Sequence, residues 1–187
     1  MSRGMKIKVL LILAAALALL MVNAAVFAYY PVTITVTGVQ PVILELGDNA
    51  GKDDLGADNR ILVTLGPKNA SASITLHPTY HTTYYKNVTV IKNLDSKAYY
   101  VAIRVNDVAD PSVFTEASLI ICDSSGATIA TIDLTATGTS SWLGPLGAGD
   151  NFSLDFRFNI DEGVDLPSAE TIGFQVIYSP QNVEAAP

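Results

Sequence analysis

The chain has 187 residues, a formal net charge of −7 at neutral pH and a single cysteine. An acidic exterior disfavours nucleic acid and anionic membrane surfaces as partners, and one cysteine excludes an internal disulfide framework. The length is enough for one domain with its own core even after loss of a leader.

The N-terminus reads as a leader in three parts. Arg3, Lys6 and Lys8 are a positive start, Val9 to Val22 is an unbroken apolar run, and Val26-Phe27-Ala28 fits the small-x-small pattern of a signal-peptidase site. Residues 1–28 are therefore expected to be a signal peptide, cut between Ala28 and Tyr29. Loss of the three leader cations makes the remainder more acidic still. Two rival readings keep the apolar run on the protein. One is an uncleaved membrane anchor, because the run approaches spanning length if Asn23 is tolerated. The other is a type IV pilin leader cut after Arg3-Gly4, with Lys6 and Lys8 badly placed for a helix that must pack apolar. The lone Cys122 is too far from the leader for a lipid anchor.

Beyond the leader, period-two alternation dominates. Val32, Ile34 and Val36 alternate with Thr33, Thr35 and Thr37, predicting a strand over 30–37. Val39 to Leu46 is a second apolar run, with Pro41 marking an edge or bend. Gly47 to Asp58 is a Gly/Asp-rich loop. Arg60 to Leu65 and Ser71 to Leu76 read as short strands about a Gly66-Pro67 turn. Asn87 to Lys92 and Tyr99 to Asn106 are strands joined by a polar turn. Leu119 to Cys122 and Ala127 to Leu134 flank Ser124-Ser125-Gly126, a hairpin signal. Phe152, Leu154, Phe156 and Phe158 alternate with polar residues, as do Ile172, Phe174, Val176 and Tyr178. Many short strands at regular spacing predict an all-β, jelly-roll-like β-sandwich. The tail after Tyr178 is expected to fray.

Catalytic constellations are missing. His77 and His81 have the spacing of a zinc-protease helix, but the glutamate base is absent and Pro78 opposes a helix. No serine sits in a Gly-x-Ser-x-Gly elbow, and there is no phosphate-binding glycine loop. The chain is therefore expected not to be an enzyme and to need no cofactor. Asp48, Asp53, Asp54 and Asp58 crowd one loop, and Asp161, Glu162 and Asp165 another. They lack EF-hand spacing, so solvated acidic loops are the default and calcium is the alternative. Tyr80, Tyr84, Tyr85, Tyr99 and Tyr100 form an aromatic-rich zone, read as core and cross-strand pairs or else as a glycan-stacking surface. Cys122, within an apolar run, reads as a small buried hydrophobe. Asn69, Asn87 and Asn151 each head an N-glycosylation sequon, a short pattern that also arises by chance.

The first strand of the mature chain begins almost at the cleavage site and so has a free end. It can pair within its own sheet, or it can complete the sheet of a neighbour by β-augmentation. A donor–acceptor contact of that kind runs head to tail and grows a filament. Residues 29–37 span about 30 Å when extended. Burying Val32, Ile34 and Val36 is worth on the order of 5–9 kcal/mol, while ordering the tail costs about 1–2 kcal/mol per residue.

The run Tyr29-Tyr-Pro-Val-Thr-Ile-Thr-Val directly after the leader, the segment 86–96 (KNVTVIKNLDS) and the segment 146–158 (LGAGDNFSLDFRF) together resemble the TasA/camelysin-type biofilm fibre proteins and the archaeal bundling pilins. The likeness covers most of the mature chain. It implies a jelly-roll-like domain, a donated N-terminal strand and extracellular adhesive fibres, with Val32, Ile34 and Val36 as the donor positions. The metalloprotease activity ascribed to some camelysin-like proteins has no matching zinc motif here.

The expectation is thus a signal peptide over 1–28, a donor strand over 29–38 and a β-sandwich pilin domain over 39–187. Its partner is a second copy of the chain, and it meets the membrane only during export. The competing expectation is a monomeric secreted or cell-surface domain that binds glycan or protein. N-terminal sequencing of the exported protein should start at Tyr29; a chain starting at Met1 or Met5 overturns the leader assignment.

Overall fold

The computed structural model describes residues 2–22 and 31–187. Its backbone divides into two units, residues 1–38 and Val39–Pro187. In the first, helix α1 runs Arg3–Val22 with no acidic residue in its first turn. Among the described residues, no helix is long and apolar enough to cross a membrane. The uncharged stretch from Val9 to Val22 rises only about 21 Å at 1.5 Å per residue, short of a ~30 Å hydrocarbon core.

The second unit is an all-β sandwich. Its strands are β1 (Val42–Leu46), β2 (Leu62–Leu65), β3 (Ala72–Thr75), β4 (His81–Asn93), β5 (Tyr99–Asp107), β6 (Glu116–Cys122), β7 (Thr128–Asp133), β8 (Gly138–Thr139), β9 (Pro145–Leu146), β10 (Asn151–Ile160) and β11 (Gly173–Ser179). The large sheet has the order β1-β4-β10-β6-β7. The small sheet has the order β11-β5-β8, with β9 also on β5, and β2 pairs with β3 as a separate hairpin. The named pairings are antiparallel. The chain passes between the two main sheets from β4 to β5 and back to β6, and again around β8 to β11.

The core arises from alternation along β10. Phe152, Leu154, Phe156, Phe158 and Ile160 are all buried. The register places Leu154 opposite Thr89 and Ile121, and Phe156 opposite Tyr85 and Leu119. From the small sheet, Val101, Ile103 and Val105 of β5 face the same core. Phe156 meets Phe174 of β11 with ring centroids 6.3 Å apart. The hairpin β2–β3 adds Val63 and Ile74, partly buried against this cluster.

The end of β4 depends on Asn93, whose side chain is fully buried. Its amide donates to the carbonyls of Lys97 (2.7 Å), Leu146 (3.0 Å) and Gly147 (2.8 Å), and its oxygen accepts the Asp95 N–H at 2.9 Å. Two amide protons serve three carbonyls, so at least one is shared. This one residue shapes the β4–β5 turn and ties it to β9.

Two sequence readings change. Residues 31–41 carry no helix or strand, so the strand expected over 30–37 finds no ladder partner among the described residues; Tyr30 itself lies outside them. A lone strand without partners does not persist. The strand expected to begin at Asn87 instead begins at His81, because β10 pairs along its polar half as well.

Asn93→Ala should lower stability by about 2–4 kcal/mol, since it leaves the buried Leu146 carbonyl without its donor and removes the bonds to Lys97 and Gly147. Urea unfolding should show a lower midpoint at unchanged slope.

Candidate functional site

The segment directly before the sandwich carries the largest exposed apolar alternation among the described residues. Val32, Ile34 and Val36 are 81%, 80% and 87% exposed, and Thr33, Thr35 and Thr37 between them are exposed too. Ala28 and Tyr29, the expected cleavage pair, lie outside the described residues.

The longer edge strands are β1 and β7 in the large sheet and β11 in the small one; the two-residue β8 and β9 lie on the other side of β5, and the short β2 and β3 pair only with each other. Edges expose backbone donors and acceptors and are usually guarded by charge, bulges or covering chain. β1 carries Glu45, and beside it the Gln40 amide reaches the Lys68 carbonyl at 3.0 Å. β7 ends in Asp133, which caps Thr135 through its N–H at 2.8 Å and its hydroxyl at 2.7 Å. Its pairing with β6 is also bulged between Ile121 and Cys122. β11, by contrast, reads Gly-Phe-Gln-Val-Ile-Tyr-Ser without a charge. Its only irregularity is at Gly173/Phe174, where it begins.

On the outer face of the large sheet the structure brings together residues that sequence reading left separate. The β4–β10 register slips between Leu154 and Phe156, and Asn87 at that slip has φ +46°, a left-handed conformation that Asn tolerates better than most residues. The slip turns the Asn87 N–H onto Asp155 Oδ1 at 2.6 Å. The Tyr84 hydroxyl donates to Asp155 Oδ2 at 2.5 Å, and the Cys122 thiol lies 4.0 Å from the same oxygen. Asp155 is 1% exposed, so its oxygens find their hydrogen-bond partners in these donors rather than in water. Burial and the Asp155 carboxylate together push the Tyr84 phenol up to about 12. Gly47 packs so closely on the backbone of Asn87 that a Cβ there would collide with it. Beside this group, Arg157 pairs with Glu116 through Nε (2.7 Å) and Nη2. Nothing in the sequence marks Asp155 as buried; only the bulge makes it so.

The two histidines are held by different acids. His77 bonds the buried Asp54 carboxylate through both its backbone N–H (2.9 Å) and Nδ1 (2.8 Å). His81 reaches Glu162 at 3.0 Å on an exposed surface. Tyr85, buried against Phe158, has its phenol raised by burial first and then by the nearby Asp54 charge. Asp53, Asp54 and Asp58 line a hollow of 310 Å³ with Arg60 and Asn59. Among the described residues, no three His, Cys, Asp or Glu side chains are placed to hold a metal ion.

The tyrosine zone divides. Tyr85 enters the core while Tyr84 turns to the opposite face of β4. Tyr99 donates to Asp95 at 2.7 Å and stands edge-on to Tyr178 at 5.9 Å. Of the sequon asparagines, Asn69 lies in a turn after Pro67, with φ +58°. Asn87 spends its amide on Asp48 at 2.9 Å, and Asn151 opens β10 opposite Lys92. Cys122 is buried and unpaired. No family model matches the chain, and no curated protein matches it.

Tyr84→Phe leaves Asp155 Oδ2 without its phenol donor and should destabilise the fold by about 1–3 kcal/mol. In the parent protein one phenol should ionise near pH 12 in an ultraviolet titration, and the substitution should abolish that step. Since this folded value lies above the ordinary 10.0, the stability it carries is complete below that pH and declines as pH rises towards 12.

Proposed function

We propose that the protein is a structural subunit of an extracellular fibre, assembled head to tail by donation of residues 29–37 to the sheet of the next copy. The observation that carries this reading is a strand-like sequence that forms no strand. Val32, Ile34 and Val36 alternate as a half-buried strand requires, yet all three are exposed and residues 31–37 join no ladder among the described residues. A sequence patterned for a sheet and left outside one is suited to a partner's sheet.

Other features support it. The leader places the donor at the new N-terminus, where a free end can enter a neighbour without threading. The apolar part of α1, Val9 to Val22 behind three cations, suits a translocating leader rather than a soluble surface. The sandwich behind it is held by long antiparallel pairings, which need no disulfide. The resemblance to fibre-forming pilins points the same way.

Deleting residues 29–37 from the exported protein should abolish filaments in negative-stain microscopy and leave a monomer by size-exclusion chromatography. A truncated chain that still polymerises overturns strand donation, and a full-length mature chain that remains monomeric at high concentration favours a monomeric binding domain.

A further inference from the structure

Among the longer edge strands, β11 has no charge and no bulge beyond its first residues, and its backbone polarity can be read from its neighbour. On β5, the Ile103 carbonyl accepts the Ser140 N–H at 2.8 Å and the Ile103 N–H donates to Ser140 Oγ at 3.1 Å, while the Val101 carbonyl accepts the Leu143 N–H at 2.8 Å. Both residues therefore turn their backbone groups away from β11. Their partners across the pair are Val176 and Tyr178. Antiparallel pairs alternate between bonded and non-bonded positions. Gln175, Ile177 and Ser179 thus bond β5, whereas Phe174, Val176 and Tyr178 aim N–H and C=O at the open side. Among the described residues nothing bonds that side.

The side chains have the matching parity. Phe174, Val176 and Tyr178 stand opposite Val105, Ile103 and Val101, which are 3%, 0% and 0% exposed. They therefore face the core, but Phe174 and Val176 are only partly buried and Tyr178 is 38% exposed. The core is closed at β5 and incomplete at β11. It lacks one more row of apolar side chains at a spacing of two residues.

We infer that the outer edge of β11 is the acceptor for residues 31–37 of a second copy. This rests on the proposed strand donation and adds where the strand lands. Val32, Ile34 and Val36 supply three apolar side chains at the same period as Phe174, Val176 and Tyr178, and their threonines face away from the core. The three open N–H and three open C=O groups of β11 receive the donor's ladder. The donor segment and β11 are both uncharged, so no ion must be desolvated as the edge is covered. β7 is the poorer acceptor: by the same alternation, its open positions include Thr131 and Asp133, with Asp133 already engaged by Thr135.

The test uses the exported full-length protein. Val176→Pro removes an N–H that bonds nothing within the subunit, so the fold should remain while filament growth is lost. Thr131→Pro, the equivalent change on β7, should leave filaments intact. Val176→Pro mixed with the chain lacking residues 29–37 should give a one-to-one dimer, since one keeps the donor and the other keeps the acceptor. Hydrogen exchange on the unmutated protein covers the case in which Val176→Pro misfolds. The amides of Phe174, Val176 and Tyr178 should slow at least about 100-fold from monomer to filament, while Gln175 and Ile177 are already slow in the monomer. Filaments from Val176→Pro, or equal exchange at those three amides in monomer and filament, overturn the β11 assignment but leave strand donation standing. Loss of assembly only in Thr131→Pro moves the acceptor to β7 and overturns it too. Filaments from the tail-deleted chain instead defeat the donation reading itself.

Discussion

The double pairing of β10, with β4 on one side and β6 on the other, is the interaction on which the sandwich depends. Five apolar side chains on one face of this strand meet the core residues of both neighbours and, through Phe156, the small sheet. A one-residue slip of β10 would move all five to the outer face. The register is therefore held by more than hydrogen bonds between strands. The bulge at Asn87 and the carboxylate of Asp155 lock it, because Asp155 can keep its charge out of water only where the Asn87 N–H and the Tyr84 hydroxyl meet it. In any other register that charge is buried alone or the sheet must open.

That lock has a consequence for the sheet edges. With the centre fixed, the outer strands differ in how well they end the molecule. β1 and β7 end it as soluble proteins commonly do, with a carboxylate and with covering chain or a bulge. β11 does not, and the half-buried Phe174 and Val176 show that the core reaches its boundary there without closure. An edge of this kind is a hazard in a monomer and an asset in a subunit. The alternation of Val32, Ile34 and Val36 is the complementary hazard on the same chain. Each explains the presence of the other if copies join end to end.

Much of the sandwich was legible because strands that bury one face must alternate. β10, β11, β5 and the β6–β7 hairpin lie close to where that pattern put them. The first half of β4 was not legible: Thr82, Thr83 and Lys86 offer no apolar stripe, and the strand exists because β10 pairs with it. The strand expected over 30–37 was the opposite case. Its pattern suits a sheet, yet residues 31–37 join no ladder among the described residues. The pairing of His77 with Asp54 and the burial of Asp155 were invisible for another reason. Both join residues far apart in sequence, and the Asp155 site needs a bulge, which leaves no mark beyond an asparagine able to take positive φ.

On the proposed reading, the placement of the donor immediately after the leader has a physical purpose. Three exposed β-branched side chains on a chain that also carries an unguarded edge would join copies wherever the protein accumulated, including before export. With the leader attached, the donor's N-terminal side continues into an apolar helix, and the donor cannot lie along a neighbour's edge without carrying that helix with it. If the leader is cut after Ala28, this obstacle is gone and the short end that remains has no charged side chain. On the proposed reading, the step that sends the protein out of the cell is also the step that makes it competent to assemble, so growth is confined to the compartment where the fibre is used.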